Sequence, residues 1–334
     1  MPAPNLMLPT DEQEKFLQYV DNLIDEKEQL IAKTAKTENE KAADWIISEG
    51  YKKISPDGIP NNLVAKFNFQ NGSINNAINP SQKGKMDRMF APKQIPKIVK
   101  GFSREGLELD GDAWLHLGGV GKFHSYQPFT IALRIFIPED LENGVIFHKG
   151  IGAKLYNFRG YHLAIKDNKL ELVLAHLHPA NAIIKSTLKD VPKEQWVQLT
   201  FTYDGSSLAN GAKLFLNGEE LDTNVATDNL YKDIVFRNDT YGVSAAKDPG
   251  LQIGARWRGK GIGGAMVDDI LVFDKELTSL EVGQLGNSKQ VQTLLTKNSN
   301  ELNATDKEVL RNYFLANKST SFQKSLAELE KVRK

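Results

Sequence analysis

The pattern of apolar and polar positions changes its period twice along the chain. Between about Thr10 and Gly50 apolar pairs recur every seven residues, at Phe16/Leu17, Leu23/Ile24 and Leu30/Ile31. This spacing predicts an amphipathic helix, because it places the apolar side chains on one stripe. Such a stripe needs a partner helix to cover it. Thr10 and Gln13 have the spacing of a capping box at the start of this helix.

From about Leu63 to Phe273 the period falls to two, which is typical of half-buried strands. One strand is marked by the alternating apolar positions Val197, Leu199, Phe201 and Tyr203. Asn217-Gly218 predicts a tight hairpin after a strand at Lys213–Leu216. Further strands are predicted near 107–109, 130–137, 145–148, 161–165, 170–175, 251–253 and 267–273. Many short strands separated by Gly, Asn and Asp indicate a sandwich or jelly roll.

The last segment returns to the helical period. Two capping boxes are predicted, one at Thr278 and Glu281 and one at Thr305 and Glu308. A final helix carries apolar residues on one face at Phe322, Leu326, Leu329 and Val332. The pattern therefore predicts three parts: an N-terminal helical segment at 1–58, a β-sandwich at 59–275, and C-terminal helices at 276–334 that pack on the N-terminal helix.

Composition excludes several classes of protein. The 334 residues contain 42 basic and 42 acidic side chains, and this zero balance argues against a nucleic-acid binder. There is no cysteine, so disulfides, thiolate metal sites and c-type haem attachment are excluded. No apolar run reaches the roughly 20 residues that span a bilayer, so membrane insertion is not expected. The N-terminus does not have the pattern of a secretory signal peptide.

Four stretches resemble a known family, and they occur in its order. They are Gly106–Leu115, Trp196–Gly205, Leu214–Gly218 and Gly264–Phe273. They resemble the laminin-G-like jelly-roll superfamily, which belongs to the concanavalin A-like lectins and glucanases. The resemblance implies a mainly β chain, with an antiparallel concanavalin A-like jelly-roll sandwich and a helical subdomain built from both chain ends.

A narrower resemblance rests on four further stretches, His176–Ile183, Tyr203–Gly211, Gly254–Arg258 and Leu310–Leu315. They are similar to the laminin-G-like insert of large exported bacterial proteins of unknown function, some of which carry a cytochrome-c-like domain. The resemblance implies that the chain is an internal part of a longer parent protein. It also implies a periplasmic, cell-surface or extracellular location, and partners among the other domains of that parent.

Histidines and arginines supply the candidate ligand contacts. All six histidines lie between His116 and His178, and we expect His176 and His178 to share a strand face with His148 nearby. Metal binding and backbone hydrogen bonding are the alternatives for these histidines. Arg256 and Arg258 alternate with Trp257, so both guanidinium groups would lie on one face, suited to carboxylate or polyol recognition. The predicted ligand-binding set is His148, His176, His178, Arg256 and Arg258.

Calcium is the one cofactor that the resemblance raises, because laminin-G-like domains often hold this ion at the sandwich rim. Its ligands would be convergent oxygen atoms, and Asp110, Asp112, Asp268 and Asp269 are available. Aspartates beside strands also make turns and accept hydrogen bonds from backbone amides. Both interpretations remain open at this point, and no catalytic cofactor is expected.

The sequence favours recognition over catalysis. Sandwich glycosidases need paired carboxylates on one strand, and their Glu-x-Asp-x-x-Glu pattern does not occur in the chain. We therefore expect a non-catalytic recognition or scaffolding module that binds carbohydrate. The alternative is a structural spacer whose helical ends contact neighbouring domains, and a glycoside hydrolase is the third hypothesis.

Overall fold

The computed structural model describes residues 9–88, 97–150, 158–235, 250–256 and 260–334. The chain divides into two compact units. Unit 1 contains Met1–Ile54 and Leu294–Lys334, and unit 2 contains Ser55–Thr293. The predicted sandwich at 59–275 therefore lies within unit 2, and the C-terminal helices divide between the units. None of the helices described is both long enough and apolar enough to cross a membrane.

The described residues contain five α-helices: α1 (Asp11–Ile47), α2 (Ser279–Gly286), α3 (Ser288–Thr296), α4 (Ala304–Asn317) and α5 (Thr320–Arg333). In unit 1, α4 and α5 both pack on α1. Trp45 of α1 stacks on Tyr313 and contacts Phe314, with ring centroids 6.3 Å and 5.5 Å apart. The apolar stripe of α1 is thus covered in its second half by the C-terminal helices.

Unit 2 is a sandwich of two antiparallel sheets, as predicted. Its described strands are β1 (Leu63–Phe67), β2 (Lys85–Arg88), β3 (Lys97–Lys100), β4 (Glu105–Glu108), β5 (Ala113–His116), β6 (Phe129–Phe136), β7 (Gly144–Lys149), β8 (Gly160–Lys166), β9 (Lys169–Leu177), β10 (Asn181–Thr187), β11 (Trp196–Tyr203), β12 (Ala212–Leu216), β13 (Glu219–Glu220), β14 (Thr223–Asp228), β15 (Leu251–Gly254) and β16 (Met266–Phe273). Sheet A has the order β13-β12-β11-β6-β16-β4-β3, with β1 also paired to β16. Sheet B has the order β14-β10-β9-β8-β7-β15-β5-β2.

The hydrophobic core lies between the two sheets, because both contribute every second side chain to it. Phe129 of β6 is central to this core: it stacks on Phe123, with ring centroids 4.5 Å apart, and meets Tyr161 and Phe201 at 4.9 Å and 5.4 Å. These side chains are almost fully buried. Burial of such large aromatic groups is the main term that stabilises the sandwich.

The outer face of sheet A is also covered. Its apolar side chains join those of the segment around α2 in a second buried cluster, formed by Ala132, Phe215, Leu271, Phe273, Leu277, Val282 and Leu285. The α2 helix begins at the predicted capping box, in which Thr278 accepts from the Glu281 amide and the Glu281 side chain accepts from the Thr278 amide. Packing therefore occupies this face of sheet A.

The carboxyl of Glu276, between β16 and α2, gives a testable pH effect. Burial raises the pKa of Glu276 to about 7, and the charge of Asp204 adds to the shift. The folded state retains this proton up to about pH 7, whereas the unfolded chain releases it near pH 4.5, so stability is lost as pH rises between these values. We expect Glu276→Gln to raise the free energy of unfolding by about 3 kcal/mol at pH 8 and to leave it unchanged at pH 4.

Urea unfolding at both pH values measures this effect. Asp140→Asn, at an exposed carboxylate in the same sandwich, is the matched control and should change stability by less than about 0.5 kcal/mol. Equal stabilisation of Glu276→Gln at pH 4 and pH 8 would show that ionisation is not the cause.

Candidate functional site

A row of polar side chains crosses the outer face of sheet B. The strand register places His148 opposite His162 on one side and opposite Gln252 on the other. Directly opposed residues of antiparallel strands point to the same face. The polar row reads Lys85, His116, Gln252, His148 and His162, and the same register continues to the apolar Val173 and Ile184. The neighbours Phe147 and Leu163 belong to the core, so the row points away from it.

His148 is only 3% exposed. Its Nδ1 lies 3.1 Å from the carbonyl oxygen of Gly150, and its Nε2 lies 3.1 Å from that of Ala255. Burial lowers the pKa of His148 to about 3 and outweighs the two carbonyl contacts, which favour the charged ring. The neutral ring has one N–H group, so only one of the two carbonyls can receive its hydrogen bond.

His162 is the neighbour of His148 on β8 and is also buried. Burial lowers the pKa of His162 well below its usual value, and the positive charge of Arg256 lowers it further. Both imidazoles are therefore neutral at pH 7. Two uncharged rings side by side present one donor and one acceptor each, rather than a pair of repelling cations.

Arg256 follows β15 and lies close to these rings. Its guanidinium carbon is 4.7 Å from the centre of the Phe158 ring, which is within cation–π range. Burial lowers the pKa of Arg256, and the charge of Glu171 opposes this shift. The Nε atom is buried and has no hydrogen-bond partner. Glu171 itself binds Lys166, whose Nζ lies 2.7 Å from its carboxylate.

His178 completes this group from the end of β9. Its ring meets the edge of Phe158, with centroids 5.6 Å apart, and it is half-buried. Burial lowers the pKa of His178, so this ring is neutral at pH 7 as well. We call the set of His148, Phe158, His162, Glu171, His178 and Arg256 the Arg256 cluster. It combines one cation, three neutral imidazoles, one aromatic ring and one carboxylate.

His176 has a different environment from His178. Its Nδ1 lies 2.7 Å from the carbonyl oxygen of Asp233, and its Nε2 accepts a hydrogen bond of 2.9 Å from Arg159. Burial lowers the pKa of His176, and the charge of Arg159 adds to this effect. Both ring nitrogens of His176 therefore have partners within the sandwich, which gives this residue a structural role near Asp233.

The structure thus brings together three of the five predicted ligand contacts. His148, His178 and Arg256 lie in one cluster, His176 lies beside Asp233, and Arg258 falls outside the described residues. Sequence reasoning missed His162, Phe158 and Glu171. The signal for His162 was present, because it alternates with the core residues Tyr161 and Leu163, but its position opposite His148 depends on the strand register.

The aspartates considered for calcium have other partners. Asp110 accepts from the amides of Asp112 and Ala113 and pairs with Arg88. Asp268 accepts from the amides of Phe102 and Asp269. Among the residues that the structure describes, no group of three or more acidic or histidine side chains could hold a metal ion. The aspartates that the structure describes therefore support the interpretation as turn and amide-capping residues.

This architecture defines an antiparallel jelly-roll sandwich of the lectin type. The chain belongs to the concanavalin A-like lectin/glucanases superfamily, in its laminin-G-like branch, whose family model matches residues 109–283. No curated protein matches the chain.

Three solved structures are similar to the chain. Domain 4 of AbnA, a GH43 extracellular arabinanase from Geobacillus stearothermophilus, in complex with arabinotriose, has 18% identity and a TM-score of 0.44, over 67% of this chain and 98% of that one. The binding domain of Paraclostridial Mosquitocidal Protein 1 has 16% identity and a TM-score of 0.49, over 69% and 53%. The receptor binding domain of botulinum neurotoxin C/D mosaic serotype has 14% identity and a TM-score of 0.46, over 68% of this chain and 51% of that one. The chain thus spans about half the length of the two toxin domains.

Proposed function

We propose that the sandwich is a carbohydrate-recognition module and that the Arg256 cluster is its ligand-binding site. One observation carries the proposal: the Nε of Arg256 is buried without a hydrogen-bond partner. A buried donor that lacks an acceptor costs about 1–3 kcal/mol. A ligand oxygen beside Arg256 would recover this free energy, so the cluster is arranged for an occupant that accepts hydrogen bonds.

The other members of the cluster narrow the chemistry of this occupant. A planar guanidinium binds a carboxylate or two adjacent hydroxyls through paired hydrogen bonds. The neutral ring of His178 offers one donor and one acceptor, as a sugar hydroxyl requires. Phe158 holds the guanidinium in place through its cation–π contact. This combination suits a sugar, and a sugar that carries a carboxylate would use it most fully.

We propose binding without catalysis because the cluster lacks the groups for glycoside hydrolysis. That reaction needs two carboxyl groups on either side of the scissile bond, about 5–10 Å apart. Glu171 is the one carboxylate of the cluster, and Lys166 binds it. The proposal includes the exported location that the family resemblance implies, because polysaccharides are encountered there.

Binding of oligosaccharides to wild type and Arg256→Gln tests the proposal. The panel should contain acidic, neutral and sulfated oligosaccharides, and affinity should be measured by calorimetry. We expect the best ligand of the panel to lose at least tenfold in affinity in the variant, because hydrogen bonds to a charged group contribute about 1.5–3 kcal/mol.

Arg104→Gln is the matched control, since it removes the same charge from an exposed arginine in the same sandwich. Its affinity should equal that of wild type. Undiminished binding by Arg256→Gln would exclude the Arg256 cluster as the site. Absence of binding across the panel would contradict the function itself.

The structural spacer remains the second candidate. It is favoured by the exposed apolar residues of α1, of which Phe16 and Tyr19 are 65% and 62% exposed. Large apolar side chains grouped on one surface commonly mark a protein-binding site. The two functions use different units of the chain, so both can hold.

A further inference from the structure

The first half of α1 extends beyond the helices that pack on its second half. The α5 helix runs antiparallel to α1, and three contacts fix its course: Ser319 to Glu38, Ser325 to Thr34, and Arg333 to Glu28. The last of these involves the final residue of α5. Asp11–Lys27 therefore lies beyond the end of α5, and its 17 residues form a segment about 25 Å long.

This segment continues the apolar stripe that packs further along α1. Successive residues of an α-helix turn by about 100°, so positions three and four apart lie on one face. The face that packs against α4 and α5 carries Thr34, Glu38, Ala42 and Trp45. Earlier in the helix the same face carries Phe16, Val20, Leu23, Ile24 and Ile31, with Lys27 among them. Phe16 and Leu17 are 65% and 54% exposed. Val20, Leu23 and Ile24, further along the stripe, are half-buried, so the stripe is most exposed at its N-terminal end.

The flanks of the uncovered stripe are acidic. Asp11–Lys27 contains six acidic residues and two lysines. Helical geometry places Asp21 and Glu28 along one side of the stripe, and Glu12 and Glu26 along the other. Charged residues that flank an apolar seam decide which helix can pair with it. A second copy of this segment would bring like charges together, which disfavours self-association.

The contact between α5 and α1 shows that a basic side chain pairs with an acidic residue beside the stripe. Arg333 at the end of α5 binds Glu28, with 2.9 Å between the guanidinium and the carboxylate. Lys331 lies in the same last turn of α5. A basic helix end thus already meets the acidic flank at the point where the uncovered segment begins.

We propose that Asp11–Lys27 is a docking surface for an amphipathic helix with an apolar stripe and lysine or arginine flanks. The partner packs on the exposed face of this segment. Burial of the apolar stripe supplies most of the binding free energy, and the charge pairs along the flanks determine which helix binds. This site is independent of the Arg256 cluster and of the ligand proposed there.

Two designed peptides test the docking surface on the full chain. Both are 21 residues long and carry leucines on one stripe, and one has lysine flanks whereas the other has glutamate flanks. Fluorescence anisotropy should show at least tenfold tighter binding of the lysine peptide at about 20 mM salt, and this preference should shrink at about 300 mM salt because screening weakens exposed charge pairs. Equal binding of the two peptides, or binding of neither, would overturn the proposal.

Variants of the chain separate the contribution of the apolar stripe to binding from that of its charged flanks. Phe16→Ser with Val20→Ser should abolish binding of the lysine peptide, whereas Tyr231→Ser, at a 69% exposed residue outside the helix, should not affect it. Asp21→Lys with Glu26→Lys should transfer the preference to the glutamate peptide. Unchanged preference in that variant would refute charge complementarity. A concentration-dependent dimer in analytical ultracentrifugation that Phe16→Ser dissociates would identify a second copy as the occupant instead.

Discussion

Replacing His162 by glutamine should reduce the loss of stability that the sandwich suffers in mild acid. Burial holds the pKa of His148 at about 3 and that of His162 well below its usual value of 6.5. Below pH 6.5 the unfolded chain takes up one proton at each ring, and the folded state does not. The stabilisation is therefore complete above about pH 6.5 and falls by about 1.4 kcal/mol per pH unit for each imidazole as the pH decreases.

From pH 6.5 to pH 5 the His148 ring alone removes about 2 kcal/mol, and protonation of His162 in the unfolded chain adds to that loss. Urea unfolding between pH 5 and pH 8, followed by circular dichroism of the sheets, gives the slope of unfolding free energy against pH. Gln252→Asn perturbs the same polar row without removing a titrating group, so it should keep the wild-type slope. A wild-type slope in His162→Gln would show that this ring is protonated in the fold.

A methyl group at Gly160 should be among the most damaging single changes in the sandwich. Gly160 begins β8 with φ +125°, a conformation that side chains rarely adopt. A Cβ atom there would lie 1.7 Å from the carbonyl oxygen of Lys149 on the neighbouring strand β7. Backbone atoms cannot rotate away, so the strands must separate. We expect Gly160→Ala to lower the free energy of unfolding by at least about 3 kcal/mol, from strain and overpacking together.

Gly72→Ala is the matched control for this substitution. Gly72 also has positive φ, at +71°, but no atom lies within 4 Å of its added methyl group. Its cost should be about 1 kcal/mol, from backbone conformation alone. Urea unfolding of the two variants compares these costs directly. A difference below about 1 kcal/mol would contradict the steric argument. The prediction also concerns the site, because Gly160 precedes His162 on the strand that aligns it with His148.

Local signals in the sequence predicted most of the fold. Asn217-Gly218 forms the expected hairpin between β12 and β13, and both residues have positive φ, as such a turn requires. The capping boxes at Thr10 and at Thr278 are confirmed. The capping box predicted at Thr305 is wrong: α4 begins two residues earlier, with Asn303 as the cap and Asp306 as its reciprocal partner. Overlapping cap signals of equal quality cannot be ranked without the tertiary contacts.

The site was harder to predict than the fold. Alternation suggested one face for His176 and His178, but β9 ends at Leu177, so His178 lies beyond the strand and turns towards Phe158. The pairing of His148 with His162 depends on the register between β7 and β8, and a bulge between Val145 and Phe147 sets that register. Sequence period shows which face a residue takes, whereas register decides which residues meet.

The first and last strands of the sandwich are hydrogen-bonded neighbours, with Leu63 opposite Phe273. The two ends of the segment between them therefore lie about 5.5 Å apart, which is the ordinary Cα–Cα spacing of paired strands. A domain with that property can be inserted between two consecutive residues of a surface loop without forcing the loop apart. The sandwich therefore has the end geometry that makes insertion into another domain sterically simple.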